Sequence, residues 1–550
     1  MRGEFVRKAI LSVIVAVSTA LLIPQQSATA APTDPQAAEN EIQQPLAEGE
    51  IQQIGPGQYF TATKTFEVAE SDVPVADMGR RHSIVVQSDG VARPESAPAS
   101  RADLGVFGPG WEAEFLGGQL SRKLQQQSGA IVVTDLGTSE SFRYNLTSSI
   151  AYPGGGGVNK YQSAEGSKIT ETTKWDASAG AMVTTVVETL AADLAATEPG
   201  DDAFTDGAGN PLPATDLQPT LTWKQAAPGS DQWRVTGVGN KAHGTTTAGY
   251  DAQGRVATVK EPAAGETPEQ VLTVSYASAT TATGTSFGDV AGRAKSITVT
   301  TDGTTQTLAR YGYDSAGLLR TVTNPSESSE PDAAYAYDAT NRVSEVTSPS
   351  SGEWDLAFPA GSAAPNVEPI GPAPPAAESE FQGASGITDP NVAGPPASDF
   401  TGDDVSGQES YPSYCYKARH WLYYWRSGCA AWAAHYGWHK PYWKRTPGKW
   451  WVVGINHDHC TSSPDKPSGY DFRSACDMHD YGYGLIGNTY KNYRYYLSRY
   501  KKTNVDDVFY TVLRDGTCSA YRFKSYCRGI AWIYRKGVSR GNPKNGANAT

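Results

Sequence analysis

The first 410 residues of this 550-residue chain contain no cysteine, and the residues after 410 contain no glutamate. No long apolar run follows Ile23, and no CxxC pair occurs anywhere. Each absence excludes something. No segment after Ile23 is predicted to cross a membrane as a helix, since a span needs about 20 apolar residues. The missing CxxC argues against a structural zinc site. A first part without cysteine must fold on packing and hydrogen bonding alone, with no disulfide framework.

What is present is unevenly placed. From residue 411 onward the chain holds all six cysteines, six of eight histidines and eight of thirteen tryptophans. That stretch has 22 Lys and Arg against 8 Asp, a net charge of +14. The whole chain is at −12, so the residues before 411 carry −26. The composition changes so sharply that 411–550 is read as a separate domain. Upstream, residues 356–410 are rich in Pro, Ala, Gly and Ser ("PAPPAAESE", "GPPASD") and poor in large apolar residues, which predicts a tether. Residues 31–71 are polar and Gln-rich and are expected to be poorly ordered. At the start, Arg2, Arg7 and Lys8 precede the apolar stretch Ala9 to Ile23 and the small-x-small exit "ATA" at Ala28 to Ala30. This is the pattern of a secretory signal peptide over residues 1–30 and predicts a secreted, extracellular protein.

Residues 72–355 carry three matching segments, "YDAQGRVATVKEP" at Tyr250, "YDSAGLLRTVTNP" at Tyr313 and "YDATNRVSEVTSP" at Tyr337. Asp closes a turn through its own backbone, and Gly or Asn accepts the left-handed conformation. The flanking Tyr, Val and Thr favour strands, so each segment predicts a strand-turn-strand hairpin. The segments resemble the YD repeats of rearrangement-hotspot and wall-associated proteins. "LGVFGPGWEAEF" at Leu104 resembles the β-rich stretch that precedes such repeats. The region reads as a β-rich scaffold and shows no cluster of acid, base and nucleophile.

Six cysteines in an exported chain should pair, and they allow fifteen pairings. Spacing suggests neighbours: Cys415 with Cys429, Cys460 with Cys476, and Cys518 with Cys527. Helical periodicity recurs in "FRSACDMHDYGYGL", in "NVDDVFYTVLRDG" from an Asn504 cap to a Gly516 stop, and in "SYCRGIAWIYRKGV". "CYKARHWLYYWRSGCAAWAAHYGW" reads as a helical pair. Little alternates with period two, so an all-α, disulfide-stapled domain is predicted.

Pairing of Cys460 with Cys476 ties the loop bearing Asp458 to the helix bearing His479 and Asp480. Those two helix residues are adjacent, so they point about 100° apart toward separate targets. Asp458 and Asp480, with a main-chain carbonyl between them, are an oxygen donor set that suits Ca²⁺. His479 is then a candidate general base, oriented by a carboxylate from another helix, with Asp506 the best placed. The order Asp458-x-Cys460, Pro467-x-Gly469, Phe472, Ala475-Cys476-x-x-His479-Asp480, Gly482-Tyr483 and Asp506 before Phe509-Tyr510 resembles secreted phospholipase A2 of the bacterial and fungal type. The resemblance implies that His479 activates a water against the sn-2 ester of a glycerophospholipid, with Asp506 as its partner. It further implies that Asp458, the His459 carbonyl and Asp480 hold Ca²⁺. Asp507 is a rival for the partner role, and His459 stands where an apolar side chain is usual.

The expected partner is a phospholipid membrane or micelle surface, with no nucleic acid and no transmembrane anchor, and the chain is expected to be a monomer. A YD-repeat segment before an enzyme also suits a delivered toxin. Two other readings remain. His457 and His459 form an H-x-H that a metal-dependent nuclease could use, and the +14 charge would attract a phosphate backbone. A non-catalytic wall or adhesion protein is the third, and the intact His479 and Asp480 argue against it.

Overall fold

The computed structural model describes residues 45–47, 49–194, 204–206, 210–227, 229–264, 267–348, 351–370, 418–423, 442–454, 459–460, 463–485 and 502–540. The signal peptide, the Cys415–Cys429 pair, the helical pair around it except 418–423, His457, Asp458 and linker residues 371–410 lie outside them.

A first sheet is built from β1 (Ile51–Ile54), β2 (Gly57–Phe60), β3 (Thr65–Val73), β4 (Met78–Val86), β5 (Ala92–Pro94) and β6 (Trp111–Glu114), with β6 pairing β4. Strand structure therefore begins at Ile51, inside the 31–71 stretch expected to be poorly ordered. Ile51, Phe60, Phe66 and Val68 are buried, and these few apolar residues suffice because they recur at strand spacing.

From β7 (Arg122–Gln127) to β24 (Asn366–Pro369), eighteen strands each pair antiparallel with the next, and the sheet closes into a barrel. β24 extends the scaffold into the stretch expected to be linker. The three YD segments are hairpin turns. Asp314 Oδ1 accepts the backbone N–H groups of Ala316 and Leu318 at 2.9 and 3.0 Å, and its Oδ2 accepts Arg320 Nε at 2.7 Å. Asp251 and Asp338 repeat this with Arg255 and Arg342. Asn341 sits at φ +65° and Gly317 at +79°, the left-handed position each turn requires. The Tyr313 and Tyr337 hydroxyls reach the Ala294 and Leu319 carbonyls of the preceding strands at 2.8 and 2.7 Å. The repeat thus carries both its turn and its link to the wall.

The C-terminal part contains helices α1 (Ala418–Leu422), α2 (Arg473–Leu485), α3 (Lys502–Thr511) and α4 (Lys524–Arg540). It is not all-α. The hairpin β25 (Tyr442–Arg445) and β26 (Trp451–Gly454) places β26 against α2, with the β-branched Val452 and Val453 buried. α3 also passes directly into a π-helical turn over Val512–Thr517, so Gly516 does not stop it. Disulfides join Cys460 to Cys476 and Cys518 to Cys527. Barrel and helices share one apolar core. Phe142 meets Phe523 with ring centres 5.3 Å apart, and Phe204 meets Tyr534 at 5.0 Å.

Candidate active site

α2 begins where the Asp471 carboxylate accepts the backbone N–H of Arg473 at 3.3 Å. Phe472 anchors its entry and is fully buried. One turn in, Cys476 is bonded to Cys460 with Cα atoms 5.1 Å apart, which fixes the 459–460 loop against the first turn of the helix. His479 follows Cys476 by three residues and lies on the face toward α3. The two helices can approach because Gly482 stands at the crossing. A Cβ there would lie 2.5 Å from Cγ1 of Val505.

His479 Nε2 lies 2.9 Å from Asp506 Oδ1, and the Tyr483 hydroxyl donates to the same oxygen at 2.7 Å. His479 is 7% exposed and Asp506 1%. The imidazole is packed between the Tyr483 ring at 4.1 Å and the Phe509 ring at 4.6 Å. A carboxylate facing Nε2 favours the tautomer with the proton there, which leaves Nδ1 as the basic nitrogen. The arrangement is an imidazole held by a buried carboxylate that a tyrosine hydroxyl also engages, a geometry that suits a base with an orienting partner.

Asp507 points elsewhere. Its carboxylate accepts Arg535 Nη2 at 2.8 Å, and burial pushes its carboxyl up to about 7. A cavity of about 170 Å³ beside Asp506 and Asp507 is lined by Pro74, Val75 and Glu261 of the β-rich part and by Arg535. Asp480 is buried on α2, next in sequence to His479. His459 has a left-handed backbone, φ +57°, and its ring Nδ1 donates to Asp477 Oδ1 at 2.9 Å. That bond raises the His459 pKa, and Lys444 pairs with the other Asp477 oxygen. The Nδ1 of His459 is therefore committed to Asp477, and the His459 carbonyl is the atom that the sequence put forward for a cation.

Asp458 is outside the described residues, so of the expected calcium donors the structure places Asp480 and His459. Their chemistry, one carboxylate and one carbonyl, fits a hard cation. Among the described residues no cluster of three His, Cys, Asp or Glu groups forms a metal site. Sequence reasoning assigned no role to Tyr483, Asp477, Lys444 or Phe509. Tyr483 was open to discovery, being four residues from His479 on the same helical face. The Asp477 contacts cross between elements and leave no local signal.

Residues 440–541 match the family model described as prokaryotic phospholipase A2, and residues 313–353 match that of the RHS repeat. A secretory phospholipase A2 of Arthroderma benhamiae is 40% identical over 81 residues, which is 14% of this chain and 51% of that protein. The chain thus spans about half the length of that relative. His479, Asp480, Asp506 and the Cys460–Cys476 bridge all fall within the phospholipase-type segment, and the last two YD hairpins fall within or beside the RHS match. This chain therefore joins a segment similar to prokaryotic phospholipase A2 to an upstream β-rich part that contains an RHS repeat.

Proposed function

We propose that this chain is a secreted phospholipase A2 that hydrolyses the sn-2 ester of glycerophospholipids. The observation that carries the reading is the buried His479–Asp506 pair, with Tyr483 on the same carboxylate oxygen, inside the segment that matches that family.

His479 Nδ1 removes a proton from water as the water oxygen attacks the ester carbonyl, and the imidazole becomes charged. Asp506 stabilises that charge and holds the ring in register, and Tyr483 holds Asp506. When the tetrahedral intermediate collapses, His479 returns the proton to the leaving alkoxide. The products are a fatty acid and a lysophospholipid. Asp458, the carbonyl of His459 and Asp480 would hold Ca²⁺. When bound, this ion supplies positive charge for the ester oxygen and the substrate phosphate. A basic domain would favour anionic lipid. The signal sequence supports export, and the RHS-type segment supports a toxin delivered with its own scaffold.

The test is release of sn-2 fatty acid from phosphatidylglycerol vesicles, with and without chelator. Activity is expected with calcium and lost in excess chelator. Cleavage of DNA or RNA without fatty-acid release would overturn the assignment in favour of a nuclease.

A further inference from the structure

Asp506 stands on α3, and two turns of the β-rich part are pressed up behind that helix. The first is Val75–Asp77. Arg535 of α4 links it to α3. Its Nε lies 3.0 Å from Asp77 Oδ1, and its Nη2 donates to Asp507 Oδ1 at 2.8 Å and to the Pro74 carbonyl at 3.4 Å. Arg535 is 7% exposed and Asp77 5%. The second turn is Phe115–Gly118. It leaves no room for a side chain at Gly117, because a Cβ there would overlap the Tyr510 hydroxyl and stand 3.0 Å from Tyr510 Cζ. Asp507 follows Asp506 directly, and Tyr510 lies about one helical turn beyond it. α4 is itself fixed to the barrel. Phe523 and Tyr534 enter the shared apolar core, and Lys536 Nζ lies 2.8 Å from Glu261 on β16 (Val256–Glu261). Arg528 pairs with Glu114 of β6 at 3.3 Å and with Asp515 at 3.6 Å.

Both turns hold backbone that ordinary residues avoid. Ala76, Asp77 and Leu116 are left-handed, at φ +59°, +43° and +51°, and all three are buried. A non-glycine residue in that conformation costs free energy and persists where its surroundings require it. Here the requirement is placement. One turn sets the Asp77 carboxylate beside Arg535, and the other sets the bare Gly117 against Tyr510. Asp77 Oδ2 makes no hydrogen bond within the protein, so Arg535 is what holds that carboxylate. The two described disulfides brace α2 and α4, and neither has a cysteine within α3. The 2.9 Å distance from His479 to Asp506 therefore depends also on what stands behind α3.

We propose that Asp77 of the β-rich part, acting through Arg535 and Asp507, is a positioning residue for Asp506, with Gly117 as a second stop behind α3. The proposal rests on the hydrolase reading for the reaction concerned. The β-rich part then supplies part of the frame that holds the active site. Asp77 acts only by fixing where Asp506 stands, so it sets turnover and leaves lipid and calcium affinity alone.

The experiment uses the full chain and phosphatidylglycerol micelles with calcium, and measures kcat and KM separately beside the melting temperature. Histidine-selective 15N resonance follows the His479 imidazole without lipid. Asp77→Asn removes a charge and no bulk, and Asn tolerates the left-handed backbone. It should lower kcat roughly tenfold, the scale of a displacement of about half an ångström, and shift the His479 signals. KM and calcium affinity should hold. Arg535→Gln should lower kcat at least as far, and adding Asp77→Asn to it should cost little more, because both act through one contact. Arg535→Lys, which keeps the charge, should recover part of the loss. From the other turn, Gly117→Ala should also lower kcat, and Tyr510→Phe added to it should relieve part of that loss by removing the overlapped atom. Tyr510→Phe alone should leave the rate unchanged, since its hydroxyl makes no hydrogen bond. This pair carries the test should Asp77→Asn fail to fold. The proposal is overturned if folded Asp77→Asn keeps wild-type kcat, if KM moves in place of kcat, or if the losses at Asp77 and Arg535 multiply. Should the wild type release no fatty acid, the hydrolase reading falls by itself. Positioning is then decided by the His479 resonances, whose indifference to Asp77→Asn would overturn it.

Discussion

Gly482→Ala is the sharpest perturbation of the site, because it adds one methyl group and touches no polar atom. The new Cβ would stand 2.5 Å from Cγ1 of Val505, with two Leu422 methyls at 3.3 and 3.5 Å. Ordinary contact starts near 3.4 Å, so α2 and α3 would have to part by roughly 1 Å. Val505 cannot easily swing aside, since a β-branched side chain has essentially one favoured χ1 in a helix. Overpacking of this kind costs roughly 1–3 kcal/mol. Against it, Ala is better than Gly inside a helix by about 1 kcal/mol. The net destabilisation should therefore be small, about 1 kcal/mol. Turnover should suffer far more. His479 lies on α2 and Asp506 on α3, and their 2.9 Å bond spans the gap that the methyl group opens. Misplacement by about 1 Å can lower a rate about a hundredfold. Thermal unfolding and fatty-acid release together give the readout, and Val505→Ala added to Gly482→Ala should restore much of the rate. If Gly482→Ala kept wild-type turnover, the helix crossing would not be what sets the His479–Asp506 distance, and the argument for the site's geometry would fail.

Asp506→Asn should leave the fold intact but lower turnover by about three to four orders of magnitude, by favouring the wrong imidazole tautomer and no longer stabilising its charge; circular dichroism beside fatty-acid release checks both halves. Glu112 is pushed up to about 8 by burial and then by Glu114 and Asp135. A carboxyl raised in the folded state binds more protons than the unfolded chain between pH 4.5 and 8, so stability falls as pH rises through that window. Glu112→Gln should remove up to a few kcal/mol of this loss at pH 8, read from denaturant midpoints at pH 5 and 8. Removing the Cys460–Cys476 bridge, which closes a separation of 16 residues, should cost about 3 kcal/mol and loosen the His459 loop, so calcium affinity should drop together with melting temperature. His459→Leu should keep calcium affinity near wild type while costing about 1 kcal/mol, because it strands one Asp477 oxygen; calorimetry separates it from Asp480→Ala, which should lose the ion.

Features carried by local chemistry were legible in the sequence. The YD hairpins could be read because Asp251, Asp314 and Asp338 each bond to backbone within their own turn. The crowding of Cys476, His479 and Asp480 could be read because helical spacing places them within two turns. Features that depend on distant partners could not. His459 was read for its carbonyl, or with His457 as an H-x-H metal site, and its ring bond to Asp477, eighteen residues away, has no sequence signature. The β25–β26 hairpin was missed because four-residue strands rich in tryptophan show no clean alternation. Sequence separations of 275 for Glu261–Lys536 and 414 for Glu114–Arg528 put the α4 pairs beyond any pattern. Yet their charges were visible in bulk, as −26 before residue 411 and +14 after it. A total fixes the sign of an attraction and no contact, because any acid on the scaffold could have met any base. The fold selects one strand position, one turn and one barrel strand to face Arg528, Arg535 and Lys536. The compositional break along the chain thus becomes, in three dimensions, a complementary charged surface between its two parts.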